Sequence, residues 1–173
     1  MQKIKTALLS YGMSGKVFHA PFLEFHQGFE LVGSWERSKQ LIQLDYPNVK
    51  SFATLEEVLE SEAELIIVNT PVGTHFEYAK LVLLAGKHVL VEKAFTTTVA
   101  EAKELTNLAK EKGLKLSVFQ NRRWDSDLKT VQQVISSKVL GELVEAEIHF
   151  DRYNPLLSPK GHKETANSGA GIL

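Results

Sequence analysis

A glycine-containing segment near the amino terminus has the residue types needed to bind a phosphate group. Apolar residues within the segment 4–9 (Ile4, Ala7, Leu8 and Leu9) are followed by SYGMSG (residues 10–15) and then by apolar residues at helical spacing. This order predicts a buried strand, a tight turn and a helix whose free N–H groups favour an anion. Gly12 would let the backbone approach a pyrophosphate, and Gly15 would let the helix pack on the strand. The candidate pyrophosphate-binding residues are Gly12, Met13, Ser14 and Gly15. Because Ser10 takes the place of the first glycine in G-x-G-x-x-G, an ordinary glycine-containing loop is the alternative interpretation.

An acidic residue follows the second apolar segment, residues 29–35. Glu36 lies 21 residues past Gly15, and an acidic side chain at about this distance accepts hydrogen bonds from adenosine ribose hydroxyls. Arg37 and Ser38 are the residue types that bind a 2′-phosphate. The spacing therefore slightly favours NAD over NADP as the cofactor, and a solvated charge pair is the alternative.

Further polar residues follow three later apolar segments. Ligands of open α/β sheets bind outside the carboxyl ends of the strands, so side chains at these positions are expected to meet along one edge. The candidate site residues found there are Thr70, Pro71, Glu92, Lys93, Asn121 and Arg122.

Strand and helix patterns alternate with short connections from residue 4 to residue 119. Strands are predicted at 4–9, 29–35, 51–53, 65–68, 88–91 and 116–119, and the runs 65–68 and 88–91 are typical of strands covered on both faces. Helices are predicted at 39–45, 54–59, 75–85 and from residue 98 to Gly113, with Thr-x-x-Glu capping boxes at Thr54, Thr74 and Thr98. The alternation predicts an α/β fold with a doubly wound parallel sheet of the Rossmann type.

The pattern changes after residue 125. A helical stripe of Leu128, Val131, Val134 and Ile135 is expected to end at Gly141. Residues 144–150 then alternate between apolar and polar, which predicts a strand of an antiparallel sheet with one wet face. Since one strand cannot form a stable sheet, we interpret the sequence as a piece of a longer protein that contains the start of a second domain.

The composition is that of an ordinary globular protein. With a net charge of −1 among 173 residues and no basic run, we expect no nucleic-acid partner. The chain has no cysteine, which excludes disulfides and thiolate chemistry, and no spacing of His, Asp and Glu indicates a metal site. Neither a signal peptide nor a membrane span is predicted, so a cytoplasmic location is expected. His19, His26 and His162 are interpreted as ordinary helix or loop residues.

Five ordered motifs cover nearly the whole chain: SYGMSGKVFHAPFL, NTPVGTHFEYA, AGKHVLVEKAFTTT, SVFQNRRWDSD and HFDRYNP. Together they resemble the glucose-fructose oxidoreductase/inositol dehydrogenase (Gfo/Idh/MocA) family, most closely its scyllo-inositol-dehydrogenase-like branch. The resemblance implies a Rossmann domain over residues 1–122. It also implies an α/β domain beginning at residues 123–173, whose open antiparallel sheet packs against a partner subunit in a homodimer or higher homo-oligomer.

The resemblance also implies roles for the candidate residues. Residues 12–15 would hold the pyrophosphate and Glu36 the adenosine ribose, with Thr70, Pro71 and His75 at the middle of the cofactor. Glu92 and Lys93 match the family's Glu-Lys-Pro motif, whose lysine lies by the nicotinamide ribose and the substrate hydroxyl, and Asn121 and Arg122 would lie near the nicotinamide. Two residues depart from the pattern: Ser10 replaces a glycine and Ala94 replaces the proline.

The function implied is that of an NAD(P)-dependent dehydrogenase acting on a secondary alcohol of a polyol, cyclitol or sugar, with Lys93 as a catalytic residue. Family members continue past GAGIL into a helix that carries an aspartate and the acid/base histidine, so residues 1–173 alone are expected to bind a dinucleotide without turnover. The alternative is a non-catalytic dinucleotide-binding redox sensor, because a fold by itself never proves activity.

Overall fold

The computed structural model describes residues 2–36, 39–149, 151, 153 and 155–156. The described residues fall into two compact units, divided between Phe119 and Gln120. The domain boundary predicted at residues 122 and 123 stays a prediction.

The first unit is built on one parallel sheet. Its described strands are β1 (Ile4–Leu8), β2 (Phe29–Trp35), β3 (Lys50–Phe52), β4 (Leu65–Val68), β5 (His88–Val91) and β6 (Leu116–Val118). The strand order is β3-β2-β1-β4-β5-β6, and each neighbouring pair is parallel. This is the Rossmann order, in which the strand order reverses between β1 and β4 and leaves a crevice at their carboxyl ends.

Helices connect these strands. A π-helical turn (Gly15–His19) leads into α1 (Ala20–Phe25), followed by α2 (Ile42–Asp45) and α3 (Leu55–Glu60). A 3-10 turn (Val72–Thr74) leads into α4 (His75–Leu84), and α5 (Val99–Glu111) precedes β6. The helix expected after the glycine turn therefore contains a π turn, which ends two residues before Pro21, a residue with no N–H to donate to the preceding turn.

The core has two layers because the sheet is covered on both faces. Ile66 and Val68 of β4 pack with α4 and α5, whereas Ile67 packs with Leu8 and Ile42 on the opposite face. Side chains alternate along a strand, so a strand that is buried on both faces needs a continuous apolar sequence. The structure confirms this interpretation of residues 65–68.

The three predicted capping boxes have different outcomes. At α5 the Glu101 amide donates to Thr98 Oγ1 (3.2 Å) and the Thr98 amide donates to Glu101 Oε2 (3.1 Å), so the box is complete. At α3 the Glu57 amide donates to Thr54, but the Glu57 carboxylate accepts from the Ala53 amide instead. The box at Thr74 is wrong: Thr74 has helical φ and ψ of −110° and −2°, and its hydroxyl donates to the Pro71 carbonyl.

The second unit contains a 3-10 turn (Asn121–Trp124) and α6 (Ser126–Ser136). The helical stripe is confirmed, but α6 ends before Gly141 because Lys138 adopts a left-handed φ of 56°. The strand predicted at 144–150 is wrong over residues 144–149, where Val144 and Ile148 are 98% and 90% exposed. A strand needs a neighbour for its backbone hydrogen bonds, and the described part of this unit contains no other strand.

Candidate functional site

A cleft of about 350 Å³ opens at the carboxyl ends of β1, β2 and β4. Three loops line it, one after each strand, and the lining residues are Leu9, Ser10, Tyr11, Gly12, Trp35, Glu36, Lys39, Leu41, Thr70 and Pro71. Four of the sequence-predicted site residues, Gly12, Glu36, Thr70 and Pro71, are thus brought together. The size suits a small molecule or part of a larger cofactor.

The two glycines of the turn differ in what surrounds them. A Cβ atom on Gly15 would lie 2.3 Å from the Ser10 carbonyl oxygen and 3.0 Å from Asn69 Nδ2. A Cβ on Gly12 would contact Ser10 Oγ at an ordinary 3.4 Å and would occupy the cleft. Gly15 therefore allows close packing inside the protein, whereas Gly12 keeps space open for a ligand.

Polar side chains hold this turn in place. Asn69, which follows β4, donates from Nδ2 to the Ser10 carbonyl (2.7 Å). The Tyr11 hydroxyl donates to Asp45 Oδ2 (2.8 Å), and Lys16 Nζ lies 2.7 Å from the same oxygen. Burial and the Asp45 carboxylate raise the pKa of Tyr11, while hydrogen bonds from Lys16 and Tyr11 lower the pKa of Asp45. Tyr11 therefore stays a neutral donor at physiological pH.

Glu36 lines the cleft, but its carboxylate accepts hydrogen bonds from the segment that follows it and from β3. Its Oε1 accepts from the Leu41 amide (2.8 Å), and its Oε2 accepts from the Ile42 amide (3.0 Å) and from Ser51 Oγ (3.2 Å). A carboxylate has about four lone-pair positions, so these three bonds leave one for a further donor. Arg37 and Ser38 lie outside the described residues.

His75 is buried rather than exposed to the cleft, with 1% of its surface accessible. Its Nε2 lies 2.8 Å from the Thr70 carbonyl oxygen and its Nδ1 lies 2.8 Å from the Ala94 carbonyl oxygen. The ring thus joins the loop after β4 to the loop after β5. Its predicted contact with the cofactor stays a prediction.

Glu92 and Lys93 follow β5. Glu92 Oε1 lies 2.9 Å from His19 Nε2 and accepts from the Ser14 hydroxyl, while Glu92 Oε2 accepts from the Lys93 amide (3.1 Å). Burial raises the pKa of Glu92, but the hydrogen bonds from His19, Ser14 and the Lys93 amide outweigh it and hold the pKa below the ordinary 4.5. Lys93 is exposed, and the Lys93–Ala94 peptide bond is cis.

Four further predicted site residues, Met13, Ser14, Asn121 and Arg122, are not among the residues that line the cleft. Ser14 contributes its hydroxyl to Glu92, and Met13 is 62% exposed. Asn121 and Arg122 lie in the 3-10 turn of the second unit, where Arg122 Nη1 donates to Asp125 Oδ2 (2.6 Å). The roles assigned to these four residues toward a cofactor stay predictions.

Three residues of the site were missed or misread in the sequence. His19, interpreted as an ordinary helix residue, is buried and bound to Glu92. Tyr11 and Asn69 were not identified, although Asn69 follows β4 at the same position at which Glu92 follows β5. The rule that polar residues at strand ends mark the site could therefore have found Asn69. Of the other two histidines, His26 is exposed and His162 lies outside the described residues.

The residues present fit a dinucleotide. The cleft lies at the point where the strand order reverses, which is where such cofactors bind in this fold. Gly12 leaves open the space that a side chain would fill. Within the ranges described, no helix is long and apolar enough to cross a membrane, and no group of three or more potential ligand side chains could hold a metal ion.

Comparison with known proteins supports this assignment of the cleft. Residues 4–120 match the family model described as "Oxidoreductase family, NAD-binding Rossmann fold". An uncharacterized oxidoreductase of Schizosaccharomyces pombe is 44% identical over 100% of this chain and 48% of its own length. The scyllo-inositol 2-dehydrogenase (NADP(+)) IolW of Bacillus subtilis is 38% identical over 98% of this chain and 48% of its own length.

A solved structure agrees in fold. The crystal structure of a candidate oxidoreductase from Bacteroides fragilis superposes with a TM-score of 0.84 at 50% identity, covering 90% of this chain and 46% of that one. The chain spans about half the length of the curated relatives it matches. From the family match, the strand order and the cleft together, the chain belongs to the Gfo/Idh/MocA oxidoreductase family, and its first unit is an NAD(P)-binding Rossmann fold.

Proposed function

We propose that the full-length protein is an NAD(P)-dependent dehydrogenase acting on a secondary alcohol of a polyol, cyclitol or sugar. The observation that carries the proposal is the position of Lys93, which follows β5 at the same carboxyl edge of the sheet as the Gly12 turn and the Thr70–Pro71 loop. The similarity to a scyllo-inositol 2-dehydrogenase supports the substrate class.

In this proposal the chain's own residues bind and orient. The amides of residues 12–15 hold the pyrophosphate, and Glu36 with Thr70 and Pro71 contacts the adenosine side and the middle of the cofactor. The bound nicotinamide supplies a hydride acceptor or donor. Lys93 donates a hydrogen bond to the substrate hydroxyl oxygen and so orients it, while Asn121 and Arg122 lie near the nicotinamide.

Further parts of the proposal concern the whole protein. An acid/base aspartate and histidine are expected beyond residue 173, in an α/β domain that begins at residue 123. An open antiparallel sheet of that domain would join two or more copies. We also propose a cytoplasmic location.

Replacing Lys93 in the full-length protein tests the function. Lys93→Ala should lower kcat for polyol oxidation by about 100-fold or more, because one hydrogen-bond donor positioned at the reacting oxygen is typically worth that much. Its Kd for NADH and NADPH, measured by nicotinamide fluorescence, should change less than about threefold, since a single exposed side chain outside the pyrophosphate turn contributes little binding free energy.

Lys103→Ala is the matched control, because Lys103 is also exposed and lies on α5. Unchanged turnover in Lys93→Ala would contradict the catalytic assignment. A wild-type protein that binds a dinucleotide but turns over no polyol, cyclitol or sugar across a broad panel would instead favour the redox-sensor alternative.

A further inference from the structure

The two chain neighbours of Lys93 are each held by a buried histidine. Glu92, before the lysine, is bound through its carboxylate by His19. Ala94, after the lysine, has its carbonyl oxygen 2.8 Å from Nδ1 of His75. The two histidines are 3% and 1% exposed, whereas Lys93 itself is exposed.

His19 reaches Glu92 from the helical segment that follows the glycine turn. Its Nε2 lies 2.9 Å from Glu92 Oε1, and its ring packs on Phe119 with centroids 4.4 Å apart. An ionised carboxylate can only accept hydrogen bonds, so the His19 Nε2–H is the donor. The other Glu92 oxygen accepts from the Lys93 amide at 3.1 Å. A continuous chain of bonds therefore runs from His19 to the backbone of Lys93.

His75 reaches the other side of the lysine from the first turn of α4. One ring nitrogen lies 2.8 Å from the Ala94 carbonyl oxygen and the other lies 2.8 Å from the Thr70 carbonyl oxygen. Thr70 lines the cleft. His75 thus lies between the wall of the cleft and the segment that carries Lys93.

We propose that His19 and His75 are positioning residues that fix the backbone of Lys93 from both sides and so direct its exposed side chain toward the substrate hydroxyl. The proposal rests on the proposed function of Lys93. Neither histidine is required to touch the substrate or the cofactor. A flexible lysine side chain needs such support, because a misplacement of about 1 Å at a reacting group can cost about 100-fold in rate.

Paired substitutions of the two histidines test the proposal. His19→Phe keeps an aromatic ring against Phe119 but removes the donor, whereas His19→Gln keeps an N–H. His75→Phe removes both contacts to carbonyl oxygens. Glu92→Gln keeps the side-chain shape and removes the charged acceptor, and His26→Phe is the control for an exposed histidine.

The first measurement is hydrogen exchange at the Lys93 amide in the cofactor-free protein, which needs no activity. Exchange should be about tenfold faster or more in His19→Phe and Glu92→Gln, because a hydrogen bond to a charged group is lost or weakened. It should stay within about threefold of wild type in His19→Gln and His26→Phe. Exchange at core amides of β1 separates this local change from a global loss of stability.

The second measurement is steady-state kinetics of the full-length protein. Both Phe variants should lose at least about tenfold in kcat. In His19→Phe the Kd for the dinucleotide should stay within about threefold, and His19→Gln should recover most of kcat. Wild-type kcat and wild-type Lys93 exchange in His19→Phe would overturn the proposal. If Lys93→Ala itself leaves turnover unchanged, the proposed function fails instead, and the exchange result still reports whether the histidines hold this backbone.

Discussion

At the scale of single residues, two glycines three positions apart serve different purposes. Gly15 has no space for a Cβ because the Ser10 carbonyl and Asn69 are against it, whereas Gly12 has space that belongs to the cleft. Both are expected from the G-x-G-x-x-G pattern. The structure separates a glycine that is closely packed inside the protein from a glycine that lines the cleft.

Gly12→Ala should weaken dinucleotide binding without destabilising the protein. The added Cβ meets Ser10 Oγ at 3.4 Å, an ordinary contact, but it occupies the space that a pyrophosphate needs to reach the backbone amides. The loss of one or more charge-assisted hydrogen bonds predicts a Kd that is about 10- to 100-fold higher. Fluorescence titration with NADH and NADPH measures the Kd, and urea denaturation of the free protein is the control. An unchanged Kd would place the pyrophosphate elsewhere.

At the scale of elements, the junction between β1 and the following helical turn depends on close backbone contact. Asn69 at the end of β4 donates to Ser10 at the end of β1, and the Gly15 turn packs over both. These contacts hold the turn that contains Gly12 against the carboxyl ends of β1 and β4.

Gly15→Ala should therefore destabilise the first unit. A Cβ 2.3 Å from a backbone carbonyl oxygen forces the helical turn away from β1, and overpacking of this kind typically costs about 1–3 kcal/mol. The free energy of unfolding, from urea denaturation followed by circular dichroism, measures the loss. Gly73→Ala is the matched control, since a Cβ there meets nothing within 4 Å. Equal stability of the two variants would show that the junction can relax without cost.

At the scale of the whole first unit, Glu92 links segments that are distant in sequence. Its carboxylate accepts from His19 and Ser14 after β1, and its amide donates to Val68 of β4 at 3.0 Å. One residue therefore contacts segments of three strands, and its partly buried carboxylate makes the contacts with the segment after β1. The acid stability of the unit should depend on that charge.

Acid unfolding tests this dependence. The folded-state pKa of Glu92 lies below its ordinary 4.5, so the unfolded chain binds more protons in this range and the stabilisation is present above pH 4.5. It is lost as the pH falls from about 4.5 through the folded-state pKa. Glu92→Gln should be less stable than wild type at pH 7, and its free energy of unfolding should fall less between pH 5 and pH 3. Glu60→Gln is the control, because Glu60 is an exposed carboxylate at the end of α3, and its free energy of unfolding should depend on pH as that of wild type does. The same pH dependence in Glu92→Gln as in wild type would contradict the prediction.

Local patterns in the sequence were sufficient for most of the architecture. The six strands, the order of elements and the complete capping box at Thr98 follow from apolar runs and from interactions within four residues along the chain. The failures have local causes as well: Thr74 lies in a 3-10 turn that directs its hydroxyl back to Pro71. Residues 144–149 have strand periodicity without a partner strand among the described residues.

The sequence by itself determined the Rossmann fold, the glycine turn and the edge of the sheet where polar residues collect, because hydrophobic periodicity and turn chemistry act over a few residues. Tertiary structure decided what those polar groups contact. His19 and Glu92 are 73 residues apart, and His75 and Ala94 are 19 apart. The Glu36 carboxylate accepts hydrogen bonds from the Leu41 and Ile42 amides, so only part of it is available to a ligand. These contacts depend on the strand order and on helix packing, and no local pattern in the chain specifies which two distant side chains will share a hydrogen bond.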